Sequence, residues 1–346
     1  MGIKLTRIGM KGASLSMKKF VSIALALLML LACAATAEGT GISITTGRPT
    51  NKPDQIMVVQ MDNEPGARPQ VGIGSADVVY EIELYNGGYT RYTAVFNDVI
   101  PELVEAVRSA RIVNVDVYAE YGGAFVHFGA RVDPDSNMYD YFNNNLFTAE
   151  LDGNNHNPKK AYPSAGNLMY RDNSRKAPNN VIAKLAELHD MVDWSSLICS
   201  SPLKFYEFPT IPAEGEDVNS FQIAYRDGYT PSYQWDAPAG NYKRFYNGNE
   251  YKDGATDEQV TCDNIIVQHV EYSWFGGKSE APNVTMIGTN ACDYFLGGKH
   301  ITGYWTRDHI HSNTLYFDAN GNEMHFNPGK TYVQILKTEK SIDYLG

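Results

Sequence analysis

Between Asp62 and His127 the chain concentrates side chains that handle charge: Asp62, Asn63, Arg68, Asp77, Glu81, Glu83, Arg91, Arg108, Ser109, Arg111 and His127. A guanidinium offers a planar fork of N–H donors that matches a carboxylate or phosphate. Arg91, Arg108 and Arg111, with the Ser109 hydroxyl and with Asp62, Asn63 and Arg68 nearby, therefore make a candidate ligand-binding surface for an anion. The competing reading is internal pairing, in which these arginines neutralise Asp77, Glu81 and Glu83 and hold the fold. Surplus guanidiniums facing a cleft would favour a ligand. A third reading is hydrolysis, with Asp62, Glu81 and His127 as the acid and base groups. Glu81 and Glu83 alone are a poor glycosidase pair, because such carboxylates flank a bond at about 5–9 Å and come from different elements.

Other motifs carry less. Ser201-Pro202-Leu203-Lys204 has the Ser-x-x-Lys spacing of penicillin-recognising enzymes, but Gly329-Lys330-Thr331 is followed by Tyr332, not glycine. His309 and His311, with His300 and Asp308, fall short of a fixed ligand set, so no metal site and no cofactor is expected. Asp318 to Asn322 resembles the start of a calcium loop but lacks the closing glutamate, and a hairpin turn explains it better. Of four cysteines, Cys199, Cys262 and Cys292 show no CxxC spacing. Cys262 and Cys292 are read either as a disulfide or as buried thiols. With 23 Tyr and 4 Trp the chain is rich in amphipathic contact area, suited to a binding surface or to a half-exposed sheet.

The elements that must position these residues are mostly strands. Ile56 to Met61 is a buried-type strand ended by the turn residues Glu64-Pro65-Gly66. Asp77 to Leu84 alternates polar and apolar, turns at Asn86-Gly87-Gly88 and returns from Thr90 to Phe96. A three-residue loop predicts Glu83 opposite Arg91 and Ile82 opposite Tyr92, with Glu81 and Glu83 on an exposed face. Ile112, Val115 and Ala119 predict a helix stopped at Gly122-Gly123, followed by a strand at Ala124 to Phe128. Asn179-Asn180 reads as the cap of an amphipathic helix carrying Val181, Ile182, Leu185, Leu188 and Val192. From Leu203 the pattern is strand and turn almost throughout, and the acidic, proline-containing segment from Glu207 to Asp217 reads as the interdomain connection.

The start of the chain says where it works. Lys18-Lys19, an apolar run from Phe20 to Leu31, and Leu30-Leu31-Ala32-Cys33 form an export signal too short to span a bilayer. Leu-x-Ala-Cys is also the spacing at which a bacterial lipoprotein signal is cut, which makes Cys33 the expected lipidation site. Met17 is the more natural start. Cleavage after Ala35-Thr36-Ala37 is the alternative and would release a secreted protein. Two acyl chains on one cysteine would hold stably to the membrane. Removing residues 1–32 takes five cations and no acids, so the formal net charge of −11 becomes −16. Such a body is repelled by phosphate-rich polymers, and no nucleic-acid partner is expected.

One family combines these features. Asp62-Asn63, Ala67-Arg-Pro-Gln-Val-Gly72, Ala76-Asp-Val-Val-Tyr-Glu81, Gly87-Gly-Tyr-Thr-Arg91, Val107-Arg-Ser-Ala-Arg111 and His127 resemble the YerB-like lipoproteins. The similarity continues through Asn264 to Gln268, Gly303 to Arg307, Phe317 to Gly321 and Gly329 to Val333. Glu105-Ala106 replaces a usual Gly-Pro, Asn179 stands where the family has histidine, and Tyr251 opens its His-x-Asp position. The resemblance implies a bacterial envelope protein of two domains and supplies no activity.

The expected fold is α+β. Residues 1–32 are the signal, 33–55 a flexible tether, 56–198 a mixed-sheet domain with helices, and 203–340 a mainly antiparallel β domain. The expected role is extracytoplasmic and lipid-anchored to the cell membrane. It consists of binding an envelope polymer, peptide or protein partner through the Arg/Asp/Tyr surface of the first domain. The alternative is a hydrolase of envelope material.

Overall fold

The computed structural model describes residues 41–154, 156–157 and 162–345. The signal segment, Met17 and Cys33 lie outside the described residues. The fold is α+β, built on a mixed central sheet to which both halves of the chain contribute. The first half supplies strands Met57–Asp62, Val78–Tyr85, Tyr89–Phe96, Ala124–His127 and Glu150–Asp152. The second supplies Asn264–Val270, Gly288–Leu296, Lys299–Arg307, Leu315–Asp318, Thr331–Lys337 and the short edge strand Glu216–Asp217. The halves meet where Thr331–Lys337 lies parallel to Val78–Tyr85, with Thr331 opposite Val78 and Gln334 opposite Glu81. Connection 207–215 is irregular and leads into that edge strand.

Both faces of this sheet are covered, so Val78–Tyr85 is buried along nearly its whole length. One face packs on helices Ile112–Tyr121 and Met138–Asn144 through Val58, Tyr80, Val115, Phe125 and Phe142. The other carries Met61, Val79 and Tyr92. A second sheet from the C-terminal half covers it with strands Ser220–Ile223, Pro231–Asp236 and Asn241–Tyr246 and the buried rings of Phe221, Tyr233, Tyr242 and Tyr246. The alternation of Asp77 to Leu84, read as a half-exposed strand, is thus an alternation between two interiors. Its polar residues are buried because partners from distant segments reach them.

Three further expectations change. The hairpin register places Glu83 opposite Thr90 and Ile82 opposite Arg91, with an irregularity between Glu83 and Tyr85. Leu84 is the extra residue, bulged between Glu83 and Tyr85, and at the turn beyond it the Glu83 carboxylate accepts the Gly88 N–H at 2.9 Å. Val181–Ala183 is a strand paired with Met169–Arg171, and the helix begins only at Leu185, as suits β-branched Val181 and Ile182. From Gly41 the expected tether is part of the body: Gly41–Ile42 pairs with Pro49–Thr50. Within that turn Ser43, Thr45 and Thr46 are buried, and the Thr45 hydroxyl donates to Asp77 at 2.8 Å. Helix Ile112–Tyr121 ends as expected at Gly122 (φ +64°), where a Cβ would collide with the Ile198 carbonyl oxygen.

Candidate functional site

The two faces of the sheet hold charge in different ways. On the face under the second sheet, Glu81 and Arg244 form a salt bridge of 2.7 Å with neither side chain exposed. The other Glu81 oxygen accepts from Thr90 at 2.7 Å, Tyr246 at 2.8 Å and Asn63 at 3.1 Å. The Arg244 guanidinium lies 4.3 Å from the ring centre of Tyr332 and 4.4 Å from that of Tyr251, with Tyr92, Tyr233 and Tyr246 within 6 Å. A cation among π faces and one carboxylate is balanced and closed to water. Glu83 is likewise neutralised, by Lys337 at 2.9 Å. The cations that meet these acids come from the second half of the chain. Asp77 meets no arginine among the described residues; its Oδ2 accepts from Thr45, from the Asn97 N–H and from the Asp98 N–H.

Strand alternation puts Asp62, next to core residue Met61, on the opposite face. Its buried carboxylate pairs with Arg108 at 2.7 Å and with Arg91 at 3.7 Å. Arg91 donates to the Tyr85 hydroxyl at 3.1 Å and to the Ser109 carbonyl at 3.1 Å. Arg111 reaches the same two acceptors at 3.4 Å each, and the carbonyls of Ala110 and Glu280. No carboxylate lies within ion-pair distance of Arg111 among the described residues. Burial, followed by the like charges of Arg91, Arg131 and Arg108, pushes its pKa down to about 9, still charged at neutral pH. Burial pushes the Tyr85 phenol up, but Arg91, Arg111 and Arg108 together pull it below its ordinary value. Arg131 faces Asp133 and, at 3.3 Å, Glu280, both partly exposed. Ser109 turns its hydroxyl inward to the Phe128 carbonyl, so its backbone carbonyl is what meets the arginines.

Beside this cluster an Arg/Tyr band crosses to the second half. Arg68 donates to Asn63 and Gly228 and lies 4.0 Å from the Tyr246 ring centre and 5.0 Å from that of Tyr229. Tyr229 packs edge-on to Tyr89, and Arg226 sits 4.1 Å over the Tyr89 ring. Arg131, Arg226 and Tyr229 were not singled out from sequence. They lie in turns and loops with no periodic signal, and only the fold puts them beside Arg68 and Tyr85.

The three residues of the hydrolytic reading are not gathered. His127 is fully buried, bonded to Glu150 and to the Gly129 carbonyl, both at 2.9 Å. Burial opposes its charge, but Glu150 and Asp152 outweigh that and raise its pKa. Glu81 belongs to Arg244 and Asp62 to Arg91 and Arg108. Lys204 pairs with Glu323 and not with Ser201. His309 and His311 lie in the loop after Lys299–Arg307, and His300 is bonded to Asp293 at 2.7 Å. No group of three His, Cys, Asp or Glu is placed to hold a metal among the described residues. Cys199, Cys262 and Cys292 are free thiols.

Comparison with known proteins agrees with the architecture. A family model described as "Protein of unknown function (DUF3048) N-terminal domain" matches residues 40–196, and its C-terminal counterpart matches residues 221–333. The chain is 26% identical over 301 residues to "Putative lipoprotein YerB" of Bacillus subtilis (strain 168), covering 81% of this chain and 80% of the relative. The crystal structure of the YerB protein from Bacillus subtilis is similar at a TM-score of 0.71 and 22% identity, covering 88% of this chain and 100% of that one, a likeness of fold.

Proposed function

The chain belongs to this YerB-like family of paired DUF3048 domains, and from that premise we propose that it is a lipid-anchored, extracytoplasmic binding protein. Its arginine cluster engages an anionic group on a peptide or protein partner. The anchor reading rests on Leu30-Leu31-Ala32-Cys33 and on the relative's name as a lipoprotein. No helix among the described residues is long and apolar enough to cross a membrane. One observation supports the anion: Arg91 and Arg111 converge on one hydroxyl and one carbonyl, and Arg111 has no acid of its own among the described residues. Two buried cations sharing neutral acceptors gain from an incoming carboxylate or phosphate. The net charge, −16 once residues 1–32 are removed, favours a local anion on a partner over an extended polyanion, which the rest of the surface would repel.

The test is thermal unfolding in acetate, in phosphate and with a short acidic peptide, all at constant ionic strength. A ligand of the folded state raises the melting temperature with concentration, because binding stabilises by mass action. The expected result is such a rise for wild type and its loss in Arg111→Gln. Equal shifts in both proteins would rule out the cluster as the site. Radiolabelled palmitate and membrane fractionation of Cys33→Ser test the anchor separately.

A further inference from the structure

A second polar site lies at the other end of the parallel strands. Asp77, Lys330 and Asp263 each immediately precede a strand, and the register sets Val78 opposite Thr331 and Thr331 opposite Asn264. The three side chains therefore form an acid–base–acid row along one end of the sheet. Above the row the Gly41–Thr50 hairpin contributes Arg48, which pairs with Asp263 at 3.2 Å. A cavity of about 340 Å3 opens here between the two halves, lined by Arg48, Asp77, Asp98, Asp253 and Lys330 among others. That size and place suit a small ligand.

Two like-charged pairs face this cavity, Asp77 with Asp98 and Lys330 with Arg48, and Asp263 answers only the Arg48 member of the second by an ion pair. Asp77 is 2% exposed; its Oδ2 takes three hydrogen bonds and its Oδ1 none from any described residue. Burial and then the charge of Asp98 push Asp77 up to about 7. Burial and then Arg48 push the Lys330 ammonium down, against the opposing pull of Asp77, Asp263 and Asp253; it is held by the Gly74 carbonyl. The acids are not grouped as metal ligands among the described residues, so a single ion does not answer both needs.

We propose that this cavity binds a small zwitterion of amino-acid or dipeptide size, its ammonium against Asp77 and Asp98 and its carboxylate against Lys330 and Arg48. Each end of such a molecule neutralises one strained pair, and neither an amine nor a carboxylate alone does both. The site is separate from the arginine cluster and stands or falls independently of it.

The experiment is calorimetric titration of the mature chain, carrying Cys33→Ser to keep it free of lipid. The probes are alanine, dialanine, ethylammonium and propionate. At least one zwitterion is expected to bind saturably and at least about tenfold more tightly than either half-molecule. Asp77→Asn and Lys330→Met, checked for an intact melting transition, are each expected to weaken it by about that factor. No binding of either zwitterion at millimolar concentration, or ethylammonium matching them, overturns the proposal. The wild-type comparison decides it even where a variant fails to fold.

Discussion

On one face of the central sheet Glu81 and Arg244 are matched charge for charge and sealed among tyrosines. On the other, Arg91, Arg108 and Arg111 crowd about one fully buried carboxylate, Asp62, one partly exposed one, Glu64, and one phenol, Tyr85. Both are clusters of arginine, acid and tyrosine. The first is balanced in charge, one Arg244 nitrogen on Glu81 and the guanidinium among tyrosine rings, and joins the two halves of the chain; the second has cation to spare. A buried charge pair already satisfied is structure, and an excess of guanidinium beside a phenol is what an anion can use.

The largest expected effect is on the sealed pair. Arg244→Met leaves Glu81 charged, buried and unpaired, and is expected to cost about 3–5 kcal/mol in denaturant unfolding. Glu81→Gln combined with Arg244→Met keeps an acceptor for Thr90 and Tyr246 and is expected to regain most of that loss. If the double variant were no more stable than the single one, the pair would not be the lock between the halves.

Asp62→Asn should cost less, about 2 kcal/mol, because Arg108 and Arg91 lose their shared anion but keep other acceptors. Here the faces should part company: added phosphate is expected to restore stability to Asp62→Asn and not to Arg244→Met. Failure of that rescue would mean the cluster is closed to ligands.

Tyrosine ionisation sharpens the contrast. Burial raises Tyr92, Tyr233, Tyr246 and Tyr251 well above the ordinary phenol value, and the arginines pull Tyr85 below it. In an ultraviolet pH titration the first phenolate to form should be that of Tyr85, and it should vanish in Tyr85→Phe. The caged rings should titrate only on unfolding. The linkage signs are opposite. Tyr85 adds stability as pH rises from its lowered value to the unfolded one near 10, and the caged phenols withdraw it above that. The smallest effect is Arg111→Gln, expected to change stability by less than about 1 kcal/mol while abolishing anion binding.

Much of this was legible from the chain because it is local. The hairpin of Val78–Tyr85 and Tyr89–Phe96 follows from alternation and the Asn86-Gly87-Gly88 turn, and the helix stop from Gly122. Asp62, Arg91, Arg108 and Arg111 were recognisable as one charged group because their strands and turns are close in sequence. The hairpin register slipped because a bulge adds a residue without changing the polar pattern. Val181-Ile182 misled because a short apolar run at an asparagine cap fits helix and strand alike.

The residue types and periodicities by themselves determined an α+β chain with a charged first half, since hydropathy, turn chemistry and spacing act over a few residues. Which acid meets which base was left to the tertiary structure. Glu81 finds Arg244 163 positions away, and Glu83 finds Lys337 254 positions away. Such pairs form only when parallel pairing of Thr331–Lys337 with Val78–Tyr85 and coverage by the second sheet bring distant segments together. Charge pairing acts through space, and no pattern in the neighbouring residues encodes it.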